Sequence, residues 1–172
     1  MHPAGPMLDR LYRVLYRLAY RLARVYWAIY HPRTHGALVA IWHGGEILLV
    51  RNSYTPYYSL PGGYVRKRES AAEAARRELE EEVGVRAGAP ELSPALVVEH
   101  LFEGKRDRVE IFELWSQLRP RIRVDAREVV EARFFPPLDA LSLRLFPPVR
   151  QVIERRLAAA PGPPHPPGPA AP

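Results

Sequence analysis

Three glutamates lie close together near the end of a predicted helix, at Glu78, Glu81 and Glu82. Because an α-helix turns by about 100° per residue, this spacing places the carboxylates on one side of the helix. Carboxylates crowded in this way repel each other unless a cation neutralises them, and oxygen ligands favour a hard ion such as Mg²⁺ or Mn²⁺. The chain has no cysteine, so a thiolate site is excluded. Taken alone, the acidic run is still more typical of a solvated helix face.

The residues around these glutamates follow a longer pattern. Gly63 is followed after five residues by Glu69, and seven residues later begins the run R-E-L-E-E-E-V-G-V from Arg77 to Val85. This arrangement resembles the Nudix box of the MutT-like hydrolases at every defined position. The resemblance extends over about residues 36–157 and implies the Nudix fold, an α/β fold in which an α/β/α sandwich surrounds a mixed sheet. It also implies the reaction, in which water attacks phosphorus and cleaves the phosphoric anhydride bond of a nucleoside diphosphate linked to another moiety.

The resemblance implies roles for the acidic helix. Glu78, Glu81 and Glu82 correspond to the carboxylates that bind the metal or act as the base, and family members differ in which one does which. The backbone carbonyl of Gly62 is implied as a further metal ligand. The expected cofactor is Mg²⁺ (or Mn²⁺), since such an ion neutralises charge on pyrophosphate oxygens and lowers the pKa of a bound water. A carboxylate that the metal does not consume then takes the proton.

Residues outside this acidic cluster are expected to complete the site. Glu69 and Arg77 correspond to the pair that supports the loop and the helix, where the arginine holds the neighbouring carboxylates in place. Many members add a catalytic carboxylate from a distant loop. Glu128 is the candidate for that role here, and Glu131 is the second choice. An ordinary loop acid is an equally good interpretation of Glu128.

Four residues are candidates for contact with the substrate, namely Arg51, Tyr54, Tyr58 and Arg66. Arginine suits a phosphate group and tyrosine rings stack on bases, although a surface arginine and a packed tyrosine loop are the competing interpretations. Arg66 and Arg68 stand where many members of the family carry a glutamate and a glycine. These two added cations are therefore expected to favour a more anionic substrate. Arg68 costs about 1 kcal/mol if its position needs a positive φ.

A competing class of function is a catalytically silent Nudix-like domain that binds or senses a nucleotide, recruited to a membrane through its N-terminal helix. Such domains commonly lose metal carboxylates, whereas this chain keeps Glu78, Glu81 and Glu82. The sequence therefore favours an active pyrophosphohydrolase. The identity of its nucleotide-type substrate stays open, because selectivity comes from loops outside the motif.

The elements that must position these residues follow from hydrophobic patterning and turn signals. A tyrosine-rich loop at residues 54–58 and a turn at 60–63 lead into a helix over 70–83, with Ser70 and Glu73 as a capping box and Gly84 as its end. Helices are also predicted over residues 137–145 and 149–159. Strands are predicted over residues 37–42, 46–51, 95–102, 109–118 and 132–135, with hairpin turns at 43–45 and 103–108.

Residues 1–35 form a basic arm that carries six arginines and one acid, Asp9, in a chain whose net charge is +6. Apolar residues recur every three or four positions from Leu8 to Ile29, which predicts an amphipathic helix over residues 7–30. Arginines interrupt the apolar run, so neither a transmembrane span nor a signal peptide is expected. The arm has three open uses: it covers the domain or a dimer partner, it lies on an anionic membrane, or, less favoured, it binds nucleic acid.

Composition thus divides the chain into the basic arm at residues 1–35, a Nudix hydrolase domain at 36–157 and a tail at 158–172. The tail is rich in proline and alanine and is predicted to be disordered, because it has nothing to bury. The lack of cysteine is typical of a reducing compartment. A cytoplasmic location is expected, with peripheral association if the arm lies on a membrane.

Overall fold

The computed structural model describes residues 6–88, 91–124 and 127–159, so the predicted disorder of the tail falls almost entirely outside the described residues. The helices are α1 (Pro6–Tyr30), α2 (Ala71–Val83), α3 (Pro137–Leu141) and α4 (Pro147–Ala158). The strands are β1 (Arg33–His43), β2 (Glu46–Asn52), β3 (Tyr58–Ser59), β4 (Gly62–Tyr64), β5 (Ser93–Phe102), β6 (Lys105–Trp115) and β7 (Val129–Phe135).

The strands form one mixed sheet, as predicted. Its order is β3-β2-β1-β6-β5, with β4 paired to β1 and β7 paired to β2. Strands β1 and β6 run parallel, and the remaining pairs are antiparallel. Because parallel neighbours need a crossover connection, the chain passes through α2 between them. This crossover brings the acidic helix against the centre of the sheet.

Strand β1 is covered on both faces, since alternate side chains of a strand point to opposite sides. Val39 packs in one core with Leu79 of α2. Its neighbour Leu38 packs in the other core with Ile153 of α4. The sheet therefore lies between two helical layers, which confirms the expected α/β/α sandwich.

Helix α2 begins and ends where its sequence predicts. The Ser70 hydroxyl accepts from the Glu73 backbone N–H, while the Glu73 carboxylate accepts from the Ser70 backbone N–H at 2.8 Å. Gly84 ends the helix in the left-handed region at φ 69. Leu79 and Val83 are fully buried against the sheet. These contacts set the rotation of α2, and so the side from which its glutamates leave.

Some element boundaries differ from the predicted ones. The hairpin turn is confined to Glu103 and Gly104, whose φ values of 51 and 84 suit a two-residue turn, so β6 begins earlier than expected. The predicted turn at residues 60–63 joins the short strands β3 and β4. Helix α3 stops at Leu141 rather than at residue 145, because Leu145 bridges to Tyr58 instead.

Helix α1 packs along its own domain. Its Asp9 accepts from Arg127 at 3.1 Å near one end, and His31, just beyond the other end, hydrogen-bonds the Gly104 carbonyl at 2.7 Å. The opposite side of the helix leaves large apolar residues exposed. In the described part of the chain, no helix combines the length and apolarity that crossing a membrane requires.

Candidate active site

Arg77 on α2 is the centre of a network that joins the helix to the preceding loop. Its Nε and Nη2 donate to the two carboxylate oxygens of Glu69 at 2.9 and 3.0 Å, and Nη1 donates to Glu78. Nη2 also donates to the Tyr64 carbonyl at 3.2 Å. The hydrogen bonds from Arg77, followed by the one from the Arg66 backbone N–H, lower the pKa of Glu69 to about 2. The structure thus places the pair Glu69 and Arg77 between the loop and the helix.

Glu82 is buried and faces the same loop. Its side chain is only 7% exposed, and its Oε2 accepts from the Gly62 backbone N–H at 2.9 Å. Gly62 has φ 146, and an added Cβ would lie 2.2 Å from the Ala37 carbonyl oxygen. Since real Cβ atoms never come this close, only glycine fits where the loop passes over β1.

Glu78 lies over the second glycine of the loop. A Cβ added at Gly63 would lie 2.6 Å from the Glu78 Oε1 atom. The carboxylates of Glu78 and Glu82 therefore meet the loop at adjacent glycines, one by packing and one by a hydrogen bond. The absence of a side chain at Gly63 is what lets Glu78 approach the backbone.

Glu81 occupies a more open position than the other two acids. Its side chain is 53% exposed and its Oε2 lies 3.4 Å from Arg77 Nη1 and 3.8 Å from Arg66 Nη2. Arg66 therefore lies at the outer edge of the acidic cluster, paired with a carboxylate. Arg68 has φ 71. It therefore adopts the positive φ that is expected to cost an arginine about 1 kcal/mol.

The donors around Gly62 suit a hard divalent cation. Within the described residues, no group of three or more acidic or histidine side chains is already arranged to hold an ion. Glu78 accepts from Arg77 instead, and Glu82 accepts from the Gly62 N–H. Mg²⁺ usually takes one or two carboxylates and completes its shell with water and substrate oxygens. An oxygen-only set of two or three glutamates and a nearby carbonyl fits that requirement.

Glu128 reaches the site from far along the chain. The Tyr54 hydroxyl donates to Glu128 Oε1 at 2.6 Å, and the Ser53 backbone N–H donates to the Glu128 carbonyl at 2.7 Å. Burial raises the pKa of Tyr54, and the charges of Glu128 and Glu82 raise it further. Tyr54 therefore lies within electrostatic range of both carboxylates.

Glu131, the second choice for the distant carboxylate, is engaged elsewhere. It lies opposite Arg51 in the β2–β7 ladder, where Arg51 Nε donates to its Oε2 at 3.0 Å. The Tyr58 hydroxyl donates to its other oxygen at 3.0 Å. Cross-strand pairing thus ties both predicted substrate contacts, Arg51 and Tyr58, to a carboxylate.

A cavity of about 390 Å³ opens beside the glycine pair. Small-molecule sites usually measure about 300–1,000 Å³, so this cavity admits a compact ligand. Of the residues expected in the site, Gly62, Gly63, Tyr54 and Glu128 line it. Arg51, Tyr58, Arg66 and the glutamates of α2 are not among the lining residues. Glu78 and Glu82 adjoin the cavity through the two glycines.

Two buried charged residues of the cavity wall lie in a segment where the sequence predicts a hairpin turn. Lys105 and Asp107 are 7% and 5% exposed, and Lys105 Nζ donates to the Tyr64 hydroxyl at 2.9 Å. They were assigned to a loop because they are polar. In β6, every second residue from Lys105 to Ile111 is buried. This alternation, which is typical of a strand, is the sequence signal that would have placed Lys105 and Asp107 in β6.

Helix α1 supplies a further part of the wall, through Tyr16, Tyr20 and Trp27. The sequence predicts that this arm covers the domain or a dimer partner, lies on a membrane or binds nucleic acid, and none of these interpretations placed α1 in the site.

Comparison with known proteins agrees with this fold. The family model described as the NUDIX domain matches residues 32–156, and the chain therefore belongs to the Nudix family. It is accordingly a hydrolase that acts on phosphoric anhydrides, a class that generally uses divalent metal ions. The match begins after α1. No curated protein matches the chain significantly.

Solved structures share the fold. A MutT NUDIX hydrolase from Burkholderia pseudomallei is 26% identical with a TM-score of 0.63, covering 71% of this chain and 96% of that one. A C. elegans Ap4A hydrolase is 20% identical with a TM-score of 0.63, covering 73% and 96%. The E. coli dihydroneopterin triphosphate pyrophosphohydrolase is 21% identical with a TM-score of 0.64, covering 75% and 99%.

Proposed function

We propose that the protein is a Mg²⁺-dependent pyrophosphohydrolase that cleaves a nucleoside diphosphate linked to another moiety. The observation that carries this proposal is the position of Glu82, buried and hydrogen-bonded to the Gly62 N–H at the edge of a ligand-sized cavity. Burying a carboxylate costs free energy unless it is paired, and such buried ionisable groups occur most often at functional sites. Glu78 lies beside it over Gly63.

The metal would be held by Glu78, Glu81 and Glu82 with the Gly62 carbonyl, and Mn²⁺ is the alternative ion. When bound, the metal neutralises phosphate charge and makes water more acidic. Arg77 contacts two of these glutamates, since its Nη1 donates to Glu78 and lies 3.4 Å from Glu81 Oε2. This support keeps the carboxylates oriented before the substrate arrives.

Glu128 is the proposed acceptor of the proton from the attacking water. It lines the cavity, and the Tyr54 hydroxyl fixes its orientation from 2.6 Å. Glu78, Glu81 and Glu82 remain alternatives for this role, because any carboxylate not occupied by the metal can accept the proton. Arg66 at the outer edge of the cluster is proposed to contact the more distant phosphates of a longer polyphosphate chain.

The substrate class draws support from the solved relatives, whose names refer to Ap4A and to dihydroneopterin triphosphate. Both compounds contain a phosphoric anhydride. The test is a panel of nucleoside triphosphates, nucleotide sugars, ADP-ribose and dinucleoside polyphosphates with Mg²⁺, read by product identity. We expect turnover of at least one, and a loss of about 10²-fold or more in Glu82→Gln. Binding without turnover on the whole panel favours the silent sensor domain instead.

We also propose that the outer face of α1 lies on an anionic membrane at the cytoplasmic side. Arg10 and Arg21 flank this face, and the acid of α1, Asp9, is already paired with Arg127. Such a helix, apolar on one side and basic beside it, binds at the lipid interface. The exposed aliphatic residues of this face are Leu11, Val14, Leu15, Leu18, Leu22, Val25 and Ile29.

Co-sedimentation with phosphatidylglycerol vesicles tests this surface. Wild type should pellet with these vesicles at low salt and much less with phosphatidylcholine, since screening and neutral lipid remove the charge attraction. The double variant Leu18→Ser/Leu22→Ser should remain in the supernatant. If wild type and this variant pellet to the same extent, binding of the outer face of α1 to a membrane is excluded. A wild-type dimer that this variant dissociates, seen by light scattering, assigns the face to a second copy, and pelleting with RNA assigns the arm to nucleic acid.

A further inference from the structure

The side of α1 that faces the domain, its inner face, contains Tyr16, Tyr20 and Trp27 and forms part of the cavity wall. This helix lies outside residues 32–156, which match the family model. We propose that Tyr16, Tyr20 and Trp27 form the subsite for a flat ring in the part of the substrate beyond the diphosphate. This inference rests on the proposed function and names the chemistry of the group that the cavity takes. It makes α1 a determinant of specificity.

Polar contacts with the domain hold the inner face of α1 in one position. The Tyr20 hydroxyl donates to Glu103 and lies 2.7 Å from the Tyr57 hydroxyl. Arg17 Nε donates to the Ser53 carbonyl at 3.1 Å. Burial, followed by the hydrogen bond to Glu103, raises the pKa of Tyr20, so its hydroxyl stays a donor. These three contacts, from Arg17 and Tyr20, hold the rings of the helix in register with the domain.

The approach of α1 to the β5–β6 hairpin is equally close. A Cβ added at Gly104 would lie 2.9 Å from the Trp27 carbonyl oxygen, so a larger residue would push the helix away. Lys105 Nζ lies 4.6 Å from the centroid of the Trp27 ring. This distance is typical of a cation–π contact, which orients the indole along the cavity wall.

The rings around the cavity are arranged for stacking. Tyr54 lies between the two tyrosines of α1, with centroids 5.9 Å from Tyr16 and 5.2 Å from Tyr20. Tyr16, Tyr20 and Trp27 line the cavity together with the charged residues Glu103 and Lys105, whereas Gly62, Gly63 and Glu128 line the part beside the acids. A diphosphate placed at the glycines therefore directs its attached group toward the tyrosines and Trp27. Aromatic walls of this kind bind flat rings by stacking, with little dependence on hydrogen bonding.

The volume limits the size of that group. About 390 Å³ lies near the lower end of the range for small-molecule sites, which suits one ring system with its sugar rather than an extended chain. The competing interpretation is that the aromatic face of α1 only packs against the domain. That role would affect stability, but it would not distinguish ligands with a ring from ligands without one.

The test measures binding of two non-hydrolysable probes to the full-length protein with Mg²⁺. One is α,β-methylene-ADP, which carries a ring, and the other is methylenediphosphonate, which does not. Trp27→Ala and Tyr16→Ala should each weaken the first probe by about tenfold or more and leave the second unchanged. Trp27→Phe keeps a ring and should recover most of the affinity. Tyr26→Ala and Tyr30→Ala, on exposed aromatics of the same helix, are the matched controls.

Each outcome decides the inference. If the two probes bind equally to wild type, or if the control variants weaken α,β-methylene-ADP as much as Trp27→Ala does, the ring subsite is excluded. If Trp27→Ala weakens both probes alike, α1 has only a structural role. Turnover on the substrate panel judges the hydrolase separately, so failure of the subsite leaves the proposed activity standing. Quenching of Trp27 fluorescence by the first probe alone, absent in Trp27→Phe, is an independent positive result.

Discussion

The hydroxyl of Tyr54 donates to Glu128 Oε1 at 2.6 Å, across 74 residues of sequence. This bond joins the loop after β2 to the loop before β7 and holds a carboxylate in the cavity wall. The neighbouring bond from the Ser53 N–H to the Glu128 carbonyl fixes the same loop from its backbone. These two contacts help to fix the position of Glu128, and Tyr54→Phe removes the first of them.

Glu128→Gln should lower kcat by about 10²–10⁴-fold if this carboxylate accepts the proton. Tyr54→Phe should have a smaller effect, about tenfold, because Glu128 keeps its place through the backbone. Steady-state rates of the two variants measure both effects.

The matched control uses the corresponding pair on the same sheet, Tyr58 and Glu131. Glu131→Gln and Tyr58→Phe should lower kcat much less than Glu128→Gln and Tyr54→Phe do, since neither Glu131 nor Tyr58 lines the cavity. A larger rate loss in Glu131→Gln than in Glu128→Gln would reverse the assignment of the base.

The two loop glycines should respond differently to alanine. Gly62→Ala places a Cβ 2.2 Å from the Ala37 carbonyl at a positive φ, so we expect a loss of roughly 3 kcal/mol in the free energy of unfolding. Gly63→Ala meets only the end of the flexible Glu78 side chain at 2.6 Å. It should fold normally and lose activity, by about a hundredfold, because Glu78 is displaced.

Urea unfolding and kcat/KM on the same preparations separate the two cases. Equal stability of Gly62→Ala and wild type would show that the loop does not lie against β1. Full activity in Gly63→Ala would show that the position of Glu78 over the loop is unimportant for the reaction.

Sequence reasoning was most successful along one continuous stretch. From Gly62 to Gly84 the spacing of the motif, the capping box and the C-terminal glycine are local signals, and the structure has the loop and helix they predict. Glu128 was found only as a candidate, because its place depends on pairing between β2 and β7. Nothing local in the sequence shows that Arg51 and Tyr58 both donate to Glu131, because these contacts depend on the pairing of β2 with β3 and β7.

The part played by α1 was beyond local reasoning for a different physical reason. The helix has an aromatic side containing Tyr16, Tyr20 and Trp27, and an aliphatic side that includes Leu18 and Leu22. Both sides are apolar enough to bury, so periodicity alone does not choose between them. The choice is made by partners far along the chain, among them Glu103, Gly104 and Lys105.

The Glu69–Arg77 pair should make the free energy of unfolding depend on pH in the acidic range. The pKa of Glu69 is lowered from 4.5 to about 2, first by Arg77. A carboxylate whose pKa falls on folding stabilises the native state above its unfolded pKa, and this stabilisation is lost as the pH falls through the folded pKa. Wild type should therefore exceed Glu69→Gln in free energy of unfolding at neutral pH, and the difference should shrink between about pH 4.5 and pH 2.

Chemical denaturation at a series of pH values checks this expectation. Glu80→Gln on the same helix is the control, since its partner Arg86 is exposed and surface pairs contribute little. A difference between wild type and Glu69→Gln that stays constant down to pH 2 would contradict the coupling to Arg77.

Arg68 offers a stabilising substitution outside the chemistry. Its φ of 71 is unfavourable for a residue with a side chain, so Arg68→Gly should raise the free energy of unfolding by about 1 kcal/mol. The neighbouring Lys67, which is exposed and is not among the residues with positive φ, is the matched control, and Lys67→Gly should lower stability by about 0.5–1 kcal/mol. Thermal unfolding of the two variants gives the comparison. Because Arg68 does not line the cavity, kcat should stay unchanged, and a loss of stability in Arg68→Gly would mean that the arginine makes a compensating contact in solution.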